Sequence, residues 1–97
     1  MQLKSLRIFC EVVRVGSFSR AAEENGWSQS SASQVVHQLE GELGVELIDR
    51  SKRPWGLTPE GDYFYRGCRK IVRQYNDLES QIRSFHQEVA GRVRVAS

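Results

Sequence analysis

The chain has 97 residues, 39 % of them apolar, and a formal net charge of +2. That is one small domain with a modest core, and no stretch approaches the roughly 18 apolar residues of a membrane span. The first residues, Met-Gln-Leu-Lys-Ser-Leu, mix charge with apolar side chains and lack a signal-peptide pattern, so a cytoplasmic protein is expected. Cys10 and Cys68 each sit within an apolar helical pattern and are expected as buried free thiols rather than a disulfide. There is no Cys-x-x-Cys, and His37 and His86 lie far apart; spacing offers no metal or cofactor site. Residues 1–58 carry seven basic and seven acidic side chains. The bulk charge therefore does not argue for nucleic acid, and a local patch or a pattern must do so.

Leu6, Phe9, Val12 and Val13 recur at helical spacing, which predicts a first helix over 3–15, stopped by Gly16. Ser17 or Ser19 can cap a short second helix, with Phe18, Ala21 and Ala22 as its apolar face and Asn25-Gly26 at its end. After this brief turn Ser28 is a cap for a third helix over 29–43, with an apolar stripe at Ala32, Val35, Val36, Leu39 and Leu43. Gly41 within it costs roughly 1 kcal/mol against alanine, and Gly44 closes it. Val45 to Arg50 leads into a short strand, Ser51 to Pro54 is a polar turn and Trp55 to Thr58 returns: a small β-hairpin, or wing. Thr58-Pro59-Glu60 is a strong helix start. Apolar residues then recur at Phe64, Cys68, Ile71, Tyr75, Leu78, Ile82, Phe85 and Val89, a 4-3 seam over more than three heptads. Gly91 is the expected end of this helix, and 92–97 alternates as a lone strand would. The expected fold is mainly α: a winged helix-turn-helix over 1–58, then a long dimerisation helix over 59–90.

Two helices joined by about three residues with a central glycine have the spacing of a DNA-binding helix-turn-helix, whose second helix enters the major groove. Between Trp27 and Leu39 there is no Asp, Glu, Lys or Arg. Off the apolar stripe lie Gln29, Ser30, Ser31, Ser33, Gln34, His37 and Gln38, side chains that both donate and accept hydrogen bonds, as base edges require. A Ser-rich stretch could be a flexible linker, but the Val and Leu stripe running through it argues against that. Ser17, Ser19 and Ser28 lie at helix N-termini, which favour phosphate. Arg50, Lys52 and Arg53 flank the wing turn, where a cation reaches DNA backbone or minor groove, or stays solvated. Trp27 and Trp55 are read as packing residues.

A helix over 59–89 is roughly 45 Å long at 1.5 Å per residue, more than a head of 58 residues can cover. A second copy would bury the seam at Phe64, Cys68, Ile71, Tyr75, Leu78, Ile82 and Phe85, with the first turns (Tyr63, Phe64) packing back on the head. Arg66, Arg69, Lys70 and Arg73 read as a solvated basic face.

The ordered motifs resemble those of LysR-type transcriptional regulators: Phe9-x-x-Val12-Val13…Gly16-Ser17-Phe18-Ser19-x-Ala21-Ala22, Ser28-Gln29-x4-Gln34-x4-Leu39-Glu40-x-Glu42-Leu43-Gly44-Val45-x-Leu47-Ile48-x-Arg50, and Leu57-Thr58-x2-Gly61. The resemblance spans residues 1 to about 90. It implies promoter double-stranded DNA as partner, groove contacts from Gln29, Ser30, Ser33, Gln34 and His37, and backbone contacts from Ser17, Ser19, Arg50 and Arg53. It further implies a homodimer through the linker helix, and a small-molecule inducer bound by a C-terminal effector domain of which 91–97 resembles the start. The chain then reads as a piece of a longer protein. Ser30 stands where the family usually has proline, Gln34 where arginine is frequent, and Gly41 where a helix former is usual; the first two departures put family base preferences in doubt. A MarR-like or molybdate-regulator-like winged helix would share DNA binding and differ in dimer arrangement, whereas a winged helix used for protein interaction predicts no salt-dependent DNA binding. No paired carboxylates, nucleophile–base pair or phosphate-cradling glycine loop points to an enzyme.

Overall fold

The computed structural model describes residues 1–52 and 54–96, with side-chain surroundings given up to residue 88. Arg53 and the side chain of Val89 lie outside the described residues. The chain forms α1 (Leu3–Val15), α2 (Phe18–Asn25), α3 (Gln29–Leu43), β1 (Ile48–Asp49), β2 (Gly56–Leu57) and α4 (Pro59–Ala96). The strands pair antiparallel, Ile48 with Leu57 and Asp49 with Gly56. The wing is thus shorter than the pattern suggested, two residues a side. The architecture is a mainly helical winged helix-turn-helix with a long final helix.

The first three helices stop where left-handed glycines stand: Gly16, Gly26 and Gly44 have φ of 77°, 71° and 71°, a region other residues enter only at a cost. The caps are also as expected. The Ser17 hydroxyl accepts from Arg20 N–H and the Ser28 hydroxyl from Ser31 N–H, each at 3.2 Å. The Thr58 hydroxyl accepts from Gly61 N–H at 2.9 Å and donates to the Glu46 carbonyl.

Helix α1 is the centre of the head, packed against α2, α3 and α4. Its buried residues face two clusters. Leu6 and Phe9 join Val36, Leu39, Leu47, Ile48 and Cys68; Ile8 and Val12 join Ala21 and Ala32. Ile8, off the predicted face, is buried because a central helix needs two apolar faces where a peripheral one needs one. The rings of Phe18 and Trp55 pack at a tilt of 52°, 5.6 Å between centres, tying the wing to α2. Both tryptophans are partly buried in the core, as packing residues are. Leu43, the last residue of the α3 stripe, is exposed, lining an open groove with Val45, Pro59 and Tyr63.

Helix α4 departs most from expectation. It runs on through Gly91 to Ala96, so residues 92–96 are helix where a lone strand was expected, and Ser97 lies outside the described residues. Phe64 and Cys68, read from the heptad as dimer seam, belong to the head. Phe64 packs edge-on to Phe9 at 5.4 Å, and Cys68 is only 2 % exposed within the first core cluster. Tyr63, expected to pack back, is 83 % exposed; Tyr65 takes that place, 6.4 Å from Phe9. Gly61, Phe64, Tyr65, Cys68 and Val72 form a second stripe at helical spacing, all turned to the head. The seam from Ile71 onward faces away, with exposures between 40 % (Tyr75) and 62 % (Phe85). Two stripes share one helix, and the 4-3 pattern concealed where one hands over to the other.

Gly61 shows how tightly α4 starts. A Cβ there would lie 2.0 Å from the Leu47 carbonyl oxygen, so only glycine lets the helix meet the segment leading into β1. Beyond the core Arg7 reaches out from α1: its guanidinium donates to Asn76 Oδ1 at 2.9 Å and lies 4.9 Å over the Tyr75 ring. Among the described residues, no helix is long and apolar enough to cross a membrane.

Candidate nucleic-acid interface

The α2–turn–α3 unit is held rigid from behind. Ala21 and Ala32 have no exposed surface, and their small side chains allow the two helices to approach closely. Trp27 N–H donates to the Ala22 carbonyl at 2.8 Å, closing the turn over Gly26. With Ala32, Val36 and Leu39 buried, the opposite face of α3 is fixed outward: Gln29, Ser30, Gln34, His37 and Gln38 are exposed and Ser33 is half-buried. These predicted groove residues share one surface over about three turns.

The serines predicted for DNA backbone already have structural duties. Ser17 and Ser28 are helix caps; Ser19 shares a 3.1 Å hydrogen bond with Ser17, and Ser28 donates to the Ser31 hydroxyl at 2.7 Å. They hold the two helix N-termini on the outward side.

Sequence reasoning missed Glu40. In the sequence it stands among other acids, Glu42, Glu46 and Asp49. Its side chain is only 9 % exposed. One carboxylate oxygen accepts from Leu47 N–H at 2.8 Å and Ile48 N–H at 3.2 Å. The other lies 3.5 Å from the Arg50 guanidinium and 4.0 Å from His37 Nδ1. A carboxylate inside the head thus ties the end of α3 to the first wing strand and reaches a predicted groove residue and a predicted backbone contact together. The sequence signal was available: Glu40 falls one residue after Leu39, on the buried side of the stripe. Arg50 is half exposed and paired with Glu40, so its head group sits at the base of the wing beside α3.

The wing turn has its own lock. Asp49 accepts from both the Ser51 hydroxyl and the Ser51 N–H. These hydrogen bonds hold its carboxyl below the usual carboxylate range, the Ser51 hydroxyl first and its backbone second, with the charge of Lys52 adding a little. Lys52 is exposed and its stem lies against Gly56.

The model of the lysR family of bacterial regulatory helix-turn-helix proteins matches residues 3–62. The chain belongs to that family. LysR-type relatives match beyond the head as well. The transcriptional activator AaeR of Escherichia coli is 40 % identical over 94 residues, covering 97 % of this chain and 30 % of AaeR. Among solved structures, the BenM_DBD/catB site 1 DNA complex (BenM is a regulator of Acinetobacter baylyi) superposes with a TM-score of 0.83 at 35 % identity. It covers 88 % of this chain and 96 % of that one. DarR of Vibrio fischeri in complex with DNA superposes with a TM-score of 0.79 at 36 % identity, covering 90 % of this chain and 30 % of DarR. The chain therefore spans about 30 % of the length of the curated LysR relatives it matches.

Proposed function

We propose that this LysR-type chain binds double-stranded DNA as a homodimer, reading base edges in the major groove with α3, and serves as the DNA-binding part of a transcription regulator in the cytoplasm. The observation that carries the reading is the outward face of α3 over residues 29–38, amide- and hydroxyl-bearing and without a formal charge, on a helix held down by buried Ala32, Val36 and Leu39. Side chains of that kind match the donors and acceptors of base edges, whereas a solvent-facing helix gains more from Lys and Glu. The likeness to BenM and DarR domains solved with DNA supports it.

In this reading Gln29, Ser30, Ser33, Gln34 and His37 face the bases. Ser17, Ser19 and Ser28 set the two helix N-termini against phosphate, and Arg50 and Arg53 meet the backbone at the wing. Residues 1–58 are the head, 59–90 the linker helix and 91–97 lead toward an effector domain, where a longer protein would take a small-molecule inducer. The chain itself performs no catalysis.

Selection of bound sites from random DNA tests the reading. A two-fold related pair of half-sites is expected, and Gln34→Ala changes the preferred base at one position, at a cost on the order of 1–3 kcal/mol. Failure to enrich any site at moderate ionic strength, with no salt-dependent binding, would instead make the head a protein-interaction module.

A further inference from the structure

We infer that Cys10 and Cys68 form a reversible thiol–disulfide site which, in the presence of a hydroperoxide, staples α4 to α1. Cys10 lies on α1 and Cys68 on α4, and both side chains pack as neighbours into the first core cluster where the two helices meet. The pair is placed asymmetrically. Cys68 is sealed in the core. Cys10 is half-buried and lines an open groove of about 590 Å³ between α1 and α4, walled by Arg14, Arg66, Arg69 and Lys70 among others. A small oxidant has a route to one sulfur only.

The electrostatics agree with the placement. The hydrogen bond from Cys68 holds the Cys10 thiol below the ordinary thiol range, with help from the Arg69 charge and against burial and Glu11. The same bond, and burial after it, push Cys68 well above that range. Thiolate character and access thus coincide at Cys10, as a reactive cysteine requires. The neighbour within reach is a resolving thiol.

The Cys10 thiolate attacks one peroxide oxygen; the O–O bond breaks, Cys10 becomes a sulfenic acid and the other oxygen leaves as water or alcohol after taking a proton. The Cys68 sulfur then attacks the Cys10 sulfur. The S–O bond breaks, and the departing hydroxide takes the Cys68 proton and leaves as water. Two thiols are oxidised by two electrons in all and one hydroperoxide is reduced by two. A dithiol reductant reverses the change by exchange. The bond closes a loop holding α2, α3 and the wing, and it pins the start of α4 to the head. The inference rests on the α1–α4 contact alone and is independent of DNA binding.

The test uses the reduced chain treated with hydrogen peroxide. Expected are a loss of two hydrogen atoms in intact mass, a peptide map joining the Cys10 and Cys68 peptides, and a raised melting midpoint that dithiothreitol returns to its starting value. The link forms faster in the folded chain than in urea. C68A accumulates sulfenic acid at Cys10, trapped by dimedone, and C10S forms neither product. A wild-type map showing Cys10 oxidised alone, Cys10 joined to Cys10 of a second chain, or both thiols still free overturns the inference, and that map decides even where C68A fails to fold.

Discussion

Replacing Glu40 with alanine strands two buried amides, Leu47 N–H and Ile48 N–H, that now share one carboxylate oxygen. An unsatisfied buried donor costs about 1–3 kcal/mol, so Glu40→Ala is expected to destabilise the head by about 2–5 kcal/mol. Glu40→Gln, which keeps an acceptor, is expected to cost less; denaturant melts of the two variants check the order. Gly41 of α3 and Gly61 of α4 make an opposed pair. Gly61→Ala drives a methyl into the Leu47 carbonyl and should cost at least about 1–3 kcal/mol, the range for overpacking. Gly41 is helical, exposed and has open space where a Cβ would stand; Gly41→Ala should stabilise by roughly 0.5–1 kcal/mol. Thermal melts with opposite shifts bear this out, and equal shifts refute it. The caps and the three glycine stops were legible in the sequence, because each is decided by residues next to it in the chain. Glu40 and Gly61 were visible as letters but not as roles: what each meets, the backbone at 47 and 48, is brought there by the tertiary fold.

The first three helices were readable almost to the residue, since each carries its own apolar stripe and glycine stop; α4 instead ran on past Gly91 and the wing strands came out shorter than the pattern suggested. The faces of α4 were not readable. A 4-3 spacing of apolar residues states that a stripe exists and leaves open which body covers each part of it. Phe64 and Cys68 went to the head because α1 offers Phe9 and Cys10 there; Ile71 sits on the exposed face of α4, turned away from the head. The proposed dimer seam accordingly shortens to Ile71, Tyr75, Leu78, Ile82 and Phe85. Tyr75, sharing Arg7 with the head, stands at the border. Leu78→Asp lies wholly in the free part, so it is expected to give monomers by light scattering while the far-ultraviolet spectrum and the melting of the head stay close to the parent. A dimer that survives the change would place the interface elsewhere. The α3 face was legible for a different reason: a missing residue type, charge, is readable without knowing the fold, and the buried stripe beside it says which way the remaining side chains turn.

At the scale of the molecule the chain is long for its size. Its radius of gyration is 17.8 Å and its extents are 65 × 25 × 19 Å, where a compact 100-residue domain has a radius near 13 Å. The 38 residues of α4 account for this, about 57 Å at 1.5 Å per residue. The head at their foot is neutral overall, so proposed phosphate contacts must be few and local. Arg50→Ala is therefore expected to weaken binding to all DNA sequences alike and to reduce the slope of affinity against salt by about one. Loss of head stability with the slope unchanged would restrict Arg50 to its pairing with Glu40.

The handover on α4 also sets a phase. The stripe ending at Val72 and the seam beginning at Ile71 are joined by one unbroken helix, so their angular offset is written into the number of residues between them. One residue inserted after Arg73 would swing everything beyond it by about 100° relative to the head, while seven would nearly restore the angle and only lengthen the arm. Chain length in this stretch should thus tolerate whole heptads and resist single steps, even though most side chains there are exposed when the subunit stands alone.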